Sequence, residues 1–518
     1  MSAALTIRTT ALAVLCAVTI GDAAAAPQTG GIEPARRLFG STHLVSTSVE
    51  LQNALTSAEP GDTIVLRSGV YTGPFRLPRK NGARWIEIRG PGGAGFPARG
   101  TRIRSNAFAS LPKLVSKSRS VLVADPGAHH YRLIGLEISP APGTFLFNVI
   151  DLGSEVNRVE DLPQHIVIER SYIHGDTARG SRRGVALNGA HITIVDSHLS
   201  DFKEEGADSQ AICGWNGPGP FRIENNYIEA AGENIMFGGA DPEIPNLVPS
   251  DILVLRNYFS KPLAWREGHP EYAGTPWTVK NLFELKNARR VLIRDNFFEH
   301  NWTHAQNGMA ILFTPRSEDG RVPWATVEDV TFENNIVRAV GGGISVLGRD
   351  DARPSQLTRR LIIRNNLFFD VGGEWGDGRL FIFVGGAAQV TIDHNTALQS
   401  GQIVVAEGDP HPAFTFQNNI APHNEFGVIG SGEGPGRPAL DRFFPGVTFR
   451  RNVLPGGDRN AYPPDNFFPA RLADVGFVGL SGLDLRLAPS SQFRGRATDG
   501  ADPGVNVGAL RLAWTTRQ

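Results

Sequence analysis

The chain holds two cysteines in 518 residues, Cys16 and Cys213, which excludes a disulfide scaffold. Ligand spacings of the Cys-x-x-Cys or His-Glu-x-x-His kind are absent, so structural zinc is not expected. Net charge is missing as well. Lys and Arg number 51 against 52 Asp and Glu, leaving no global field to attract nucleic acid or an anionic membrane. Beyond the amino terminus no apolar run reaches the roughly 20 residues that span a bilayer, so membrane insertion is not expected.

The amino terminus reads differently from the rest. Residues 1–8 carry one positive charge, residues 11–20 are apolar, and Ala24, Ala25 and Ala26 precede Pro27. That layout is a cleaved secretory signal over residues 1–26, too short for a membrane anchor. The mature chain is expected to be secreted, periplasmic or extracellular, with Cys213 as its single thiol. Cys213 has no neighbouring base and reads as a small packed apolar residue.

What the chain has in quantity is repetition. One eight-residue pattern runs apolar, any, apolar, two mostly polar residues, Asn or Ser, any, apolar. It occurs at 166–173 and 192–199 with Ser171 and Ser197 as marker. With Asn it recurs at Asn226, Asn257, Asn296, Asn335, Asn366, Asn395, Asn419 and Asn452. Apolar residues two apart are strand spacing, and the Ile, Val, Phe, Thr and Tyr content agrees. Asn tolerates a left-handed backbone and its amide both donates and accepts, so the marker is expected at a bend between two short strands. Stacking such bends about 4.8 Å apart gives an internal amide ladder. Markers fall 29 residues apart from 197 to 226, 31 from 226 to 257 and 24 from 395 to 419, lengths that suit a coil of three short strands. The 59 Gly and 35 Pro supply the turns.

The opening adds a second signature. A short amphipathic helix over 48–55, with Thr47 and Glu50 as capping box, precedes Pro60-Gly61-Asp62-Thr63-Ile64 and Gly69-Val70-Tyr71. Its side with Val49, Leu51 or Leu55, and Ala54 is expected to plug the open end of a solenoid. With the repeat, this entry resembles the right-handed parallel β-helix proteins of the pectate-lyase-like superfamily. The resemblance implies an all-β, right-handed parallel β-helix over residues 43–455, with an irregular capping segment over 456–518. It fixes the fold further than the chemistry, because the scaffold carries lyases, hydrolases, epimerases and binding proteins.

Two long coils, 39 residues each between markers 257 and 296 and between 296 and 335, are expected to build a binding surface. They hold Trp265, Trp277, Trp302, Asn307 and Arg316, read as exposed platforms and polar contacts for sugars. Strand alternation over 281–287 sends Phe283 and Leu285 inward and Leu282, Glu284 and Lys286 outward. Glu233, Asp241 and Asp208 lie on adjoining coils as hard oxygen ligands, so bound Ca²⁺ is a candidate cofactor and no organic cofactor is expected.

The resemblance implies first a polysaccharide lyase that cleaves a uronate-containing chain by β-elimination. Lys280, Lys286, Lys203 or Arg316 would neutralise the sugar carboxylate, and His304 or His300 would serve as base. Lys286, Glu284, His304 and Lys280 are the catalytic candidates. The alternatives are a glycoside hydrolase using Glu284, Glu233 and Asp241, or a carbohydrate-binding or surface protein without turnover. The partner in each case is a polysaccharide, and a monomer is expected.

Overall fold

The computed structural model describes residues 40–93 and 95–517; the signal segment over 1–26 lies outside them. Three parallel sheets of 14, 12 and 11 strands run from Thr42 to Arg450. Most coils contribute one strand to each sheet, giving a right-handed parallel β-helix. In one coil, for example, the strands are Gln164–Glu169, Tyr172–His174 and Arg183–Ala186. The coils of the 14-stranded sheet pair in register, as in Ile166 opposite Ile192, which sits opposite Phe221, then Ile252. That register sends the apolar positions of every coil into one shared core from Val45 to Tyr462. No helix among the described residues is long and apolar enough to cross a membrane.

The marker residues form the expected column. The Asn257 amide N–H donates to Asn296 Oδ1 at 2.8 Å, and Asn296 and Asn335 repeat the bond to the next Asn at 2.9 Å each. Each Nδ2 also donates to a carbonyl of the preceding coil, as Asn335 Nδ2 does to Ile293 O at 2.9 Å. Ser171 and Ser197 begin the column, and Asn466 extends it one coil beyond Asn452. One detail differs from expectation. The left-handed residue is the one before each marker, such as Asn225 (φ 54°), Arg256 (φ 51°) and Asp295 (φ 60°). That neighbour takes the bend, which frees the marker Asn to turn its amide inward.

Helix Ser48–Ser57 closes the first coil, with Thr47 Oγ1 accepting from Glu50 N and the Glu50 carboxylate accepting from Thr47 N. Leu51, Ala54 and Leu55 enter the core, whereas Val49 is 70% exposed, because it lies on the helix face turned away from the coil. Thr47→Ala is expected to cost about 1 kcal/mol, the usual loss of an N-cap, read as a lower midpoint in chemical denaturation. At the other end helix Arg437–Phe443 buries Ala439, Leu440 and Phe443 over the last strands. The segment after it runs back along the 11-stranded sheet. Leu485, Val505, Leu510 and Ala513 cover Phe297, Ile336, Leu367 and Phe369, and Arg102 Nη1 donates to Thr516 O.

Candidate active site

The functional groups gather on the outer face of the 12-stranded sheet. Strands Arg183–Ala186, Gln210–Gly214, Glu233–Phe237 and Asn281–Leu285 are consecutive there, and register aligns Arg183, Gln210, Glu233 and Asn281 in one row. Ile212, Ile235 and Phe283, two positions along each strand, face the core, and so do Ala211 and Leu282, so strict alternation breaks at the start of these strands and Asn281 is carried to the side of Glu284, to which it donates. The turn that delivers Glu233 is held by Lys261. This fully buried ammonium donates to the carbonyls of Ala230, Ala231 and Gly232 and to Asn234 Oδ1, at 2.7–3.0 Å. Gly238 ends the strand at φ 86°, where an added Cβ would lie 2.6 Å from Asn287 N, so this crossing requires glycine.

Glu233 is the centre of the group and is fully buried. Its Oε2 accepts from Gln210 Nε2 at 2.8 Å. Its Oε1 accepts no hydrogen bond, and Lys280 Nζ lies 3.7 Å away. Lys280 also reaches Asp208 Oδ1 at 2.5 Å. Burial, and then the neighbouring Asp208 and Glu284 charges, push the Glu233 carboxyl up to about 7 in spite of Lys286 and Lys280. Lys286 Nζ lies 3.8 Å from Glu284 Oε1, and that carboxylate, with Glu233 and Asp208 behind it, raises the lysine above its ordinary value. The side chains of Lys280 and Lys286 are each 18% exposed, so both lysines reach solvent beside a buried acid.

Several expected positions are corrected. Glu284 is outward as predicted but buried, because Asn281 Nδ2 and Thr314 Oγ1 donate to its two oxygens at 3.1 and 3.0 Å. Leu282 turns into the core instead of outward. Asp241 is committed to a neighbouring loop. It accepts from Ser317 Oγ and from the amides of Glu318, Asp319 and Arg321, pinning that loop, so Glu233, Asp208 and Asp241 are not brought together as a ligand set. Among the described residues no group of three or more His, Cys, Asp or Glu is placed to hold a metal ion.

Trp265, Trp277 and Trp302 are buried in one apolar cluster with Trp375 and anchor the long coils instead of offering platforms. An indole removes so much apolar surface from water that packing claims it. Lys203 is buried beside them, 5.4 and 5.3 Å from the rings of Trp265 and Trp277, and bonded to Thr177 O and Asp201. Trp302 still contributes an edge to a cleft of about 480 Å³ with Arg266, Thr303, His304 and Trp375.

Arg316 follows Lys286 by one coil, its amide donating to Lys286 O at 3.0 Å, while its guanidinium pairs with Asp350 at 3.1 Å and Asp351 at 3.3 Å. The loop with His304 and Asn307 forms an exposed lip, tied to the row where Asn281 Nδ2 donates to Gln306 Oε1 at 3.4 Å. The Val279 amide donates to His304 Nδ1 at 3.2 Å, which places the proton of the neutral ring on Nε2. His304 therefore faces the lip as a donor, not as a base. His300 is half-buried against Trp375, its ring stacked at 5.6 Å.

Arg183 and Gln210 were not singled out in the sequence. Their place in the row depends on which residues pair across coils, and only the strand alternation at Arg183 hints at it.

A closed three-sheet coil with an internal amide column is the architecture of right-handed parallel β-helix proteins. No protein-family model matches the chain, and no curated protein matches it. Among solved structures it is similar to the PL6-family alginate lyase AlyGC, at 17% identity and a TM-score of 0.50, covering 82% of this chain and 53% of that one. A single-residue mutant of AlyGC aligns at 15% identity and a TM-score of 0.51, covering 90% of this chain and 58% of that one. This chain thus spans little more than half the length of AlyGC, and the likeness establishes the fold.

Proposed function

We propose that the chain is a polysaccharide lyase that cleaves a uronate-containing polymer by β-elimination, acting outside the cytoplasm once residues 1–26 are removed. The observation that carries this reading is the pair of lysines that reach solvent, Lys280 and Lys286, beside the buried acid Glu233. Alginate, the substrate class in the names of the fold neighbours, is such a polymer.

Each group has a role that its surroundings favour. Lys286, held protonated by Glu284, pairs with the sugar carboxylate and makes the adjacent C–H more acidic. Lys280 passes its proton to Glu233 and, as a neutral amine, removes the hydrogen beside the carboxylate. The electron pair forms the new double bond, the bond to the 4-linked oxygen breaks, and Lys280 passes the removed proton to that oxygen, after which Glu233 returns its proton to the Lys280 amine. Glu284 positions Lys286, and His304 and Asn307 donate to sugar hydroxyls from the lip. The hydrolase reading is less favoured, because Glu233 and Glu284, the carboxylates it would use, are both buried.

Lysines supply the positive charge in this scheme, so turnover is expected to survive dialysis against EDTA. Restoration of a lost activity by Ca²⁺ would return the ion to the site.

The pH dependence has a definite sign. Glu233 must be ionised to take the Lys280 proton, so the rate should fall as pH drops through about 7. Stability moves the other way. An acid whose folded value is raised stabilises the fold below its ordinary carboxylate range, and that contribution is lost as pH rises through about 7. Glu233→Gln should abolish the stability step and the turnover together, whereas a rate profile flat across this range would remove Glu233 from the mechanism.

A further inference from the structure

A buried carboxyl that must ionise needs a donor to hold its charge. Among the described residues Glu233 has one: Gln210 Nε2 donates to its Oε2 at 2.8 Å, and both side chains are buried. Oε1 accepts no hydrogen bond and is left to Lys280 Nζ, 3.7 Å away. The two oxygens therefore differ, and a proton from Lys280 is delivered to Oε1.

Which end of the Gln210 amide faces Glu233 decides the sign of their contact. With the NH₂ group there the ionised acid is favoured; with the carbonyl oxygen there, only the protonated acid could bond it. A glutamine alone can turn either way. Gln210 cannot, because Arg183 Nε donates to its Oε1 at 3.1 Å and a guanidinium has donors only. Arg183 is held in turn between two rings, its guanidinium 5.0 Å from Phe147 and 5.1 Å from Trp215. Arg183, Gln210 and Glu233 stand opposite one another on three consecutive strands, so sheet register sets up the chain of donors.

The other groups around Glu233 divide by sign. Burial, then Asp208 and Glu284, oppose its ionisation, whereas Lys286, Lys280 and the buried Lys261 favour it. The nearby Cys213 thiol is neutral, pushed up to about 11 by burial.

We propose that Gln210, oriented by Arg183, is a positioning residue that bonds Glu233 in its ionised state, leaves Oε1 to take the Lys280 proton, and so sets the pH below which the relay stops. The inference rests on the lyase reading and adds to it the two residues that fix the acid limb of its pH profile.

The test uses the full-length protein and two readouts. One is the infrared band of the protonated Glu233 carboxyl, followed against pH without substrate and assigned by its loss in Glu233→Gln. The other is the acid limb of kcat on a uronate polysaccharide. Gln210→Leu removes the donor, so both midpoints should move up together by about one pH unit, roughly a tenfold change in the ionisation constant. Arg183→Met, at a half-buried position, should move them the same way by freeing the amide to turn, and no further in the Gln210→Leu background. Arg183→Lys, a cation that also only donates, should restore the wild-type midpoints. Loss of rate with both midpoints unmoved would make Gln210 merely structural and overturn the proposal. An Arg183→Met shift of equal size in the Gln210→Leu background would show the guanidinium acting through its charge, and its orienting role would fall. An infrared midpoint that moves while the rate profile stays would take Glu233 out of the relay, and the proposal with it. If the infrared midpoint moves as expected but wild type turns over no uronate polymer, the lyase reading falls and the hold of Gln210 on Glu233 stands.

Discussion

Lys280→Met is expected to lower turnover of a uronate polysaccharide by about 10² to 10⁴-fold, the usual contribution of a positioned proton-transfer group, while leaving the melting temperature nearly unchanged. Methionine keeps the length and apolar stem of the side chain and removes only the amine. The loss should fall on the chemical step. Lys286 remains to hold the sugar carboxylate, so KM should move less than kcat. The change also removes the cation nearest the buried Glu233 oxygen, 3.7 Å away, which should drive that carboxyl further toward its protonated form. Lys286→Met should give the complementary pattern, with KM raised together with the loss of rate. If Lys280→Met retains most of the wild-type rate, the base lies elsewhere and the relay to Glu233 is wrong.

The second large effect concerns the scaffold. Asn335→Leu should destabilise the protein by about 2–6 kcal/mol, from two backbone groups left without a partner at about 1–3 kcal/mol each. Asn335 Oδ1 accepts from the Asn296 amide at 2.9 Å, and Asn335 Nδ2 donates to Ile293 O at 2.9 Å. Leucine matches the volume but satisfies neither, and both groups lie where water does not reach. Because domains hold only about 5–15 kcal/mol in reserve, this single change should bring the central coils close to unfolding at physiological temperature. Asn335→Ser should cost less, since Ser171 and Ser197 already hold the column in the first marked coils. Denaturant midpoints for the three proteins check this ordering. A Leu variant as stable as wild type would mean that the column is ornamental.

The sequence was most informative where one chemical requirement recurs in every coil. Each Asn of the column must sit after a strand and before an apolar residue, so ten copies of the pattern disclosed the parallel β-helix and its ladder. The capping helix was legible for a similar reason, because Thr47 and Glu50 satisfy each other locally. Glu284 and Lys286 could be placed outward from strand alternation, with Glu233 at the flank of the neighbouring strand.

What was not legible depends on contacts between coils of irregular length. Trp265, Trp277 and Trp302 look the same in sequence whether they face sugar or anchor a loop, and here they meet each other and Trp375. Asp241 reads as a free ligand until the residues 317–321 are seen to close on it. Arg183 gave little signal because nothing near it in sequence shows that its coil lies two strand spacings from Glu233.

The central claim is that this face of the β-helix cleaves a uronate polymer by elimination. Elimination leaves one conjugated double bond at each new non-reducing end, and that bond absorbs in the ultraviolet. The decisive measurement incubates purified wild-type and Lys280→Met protein with uronate polysaccharides, following ultraviolet absorbance and new reducing ends in the same samples. The account predicts that wild type generates the two signals in equal number and Lys280→Met generates both about 10² to 10⁴-fold more slowly. New reducing ends without absorbance would identify hydrolysis, and an absence of both signals from wild type across the uronate polymers would contradict the lyase reading.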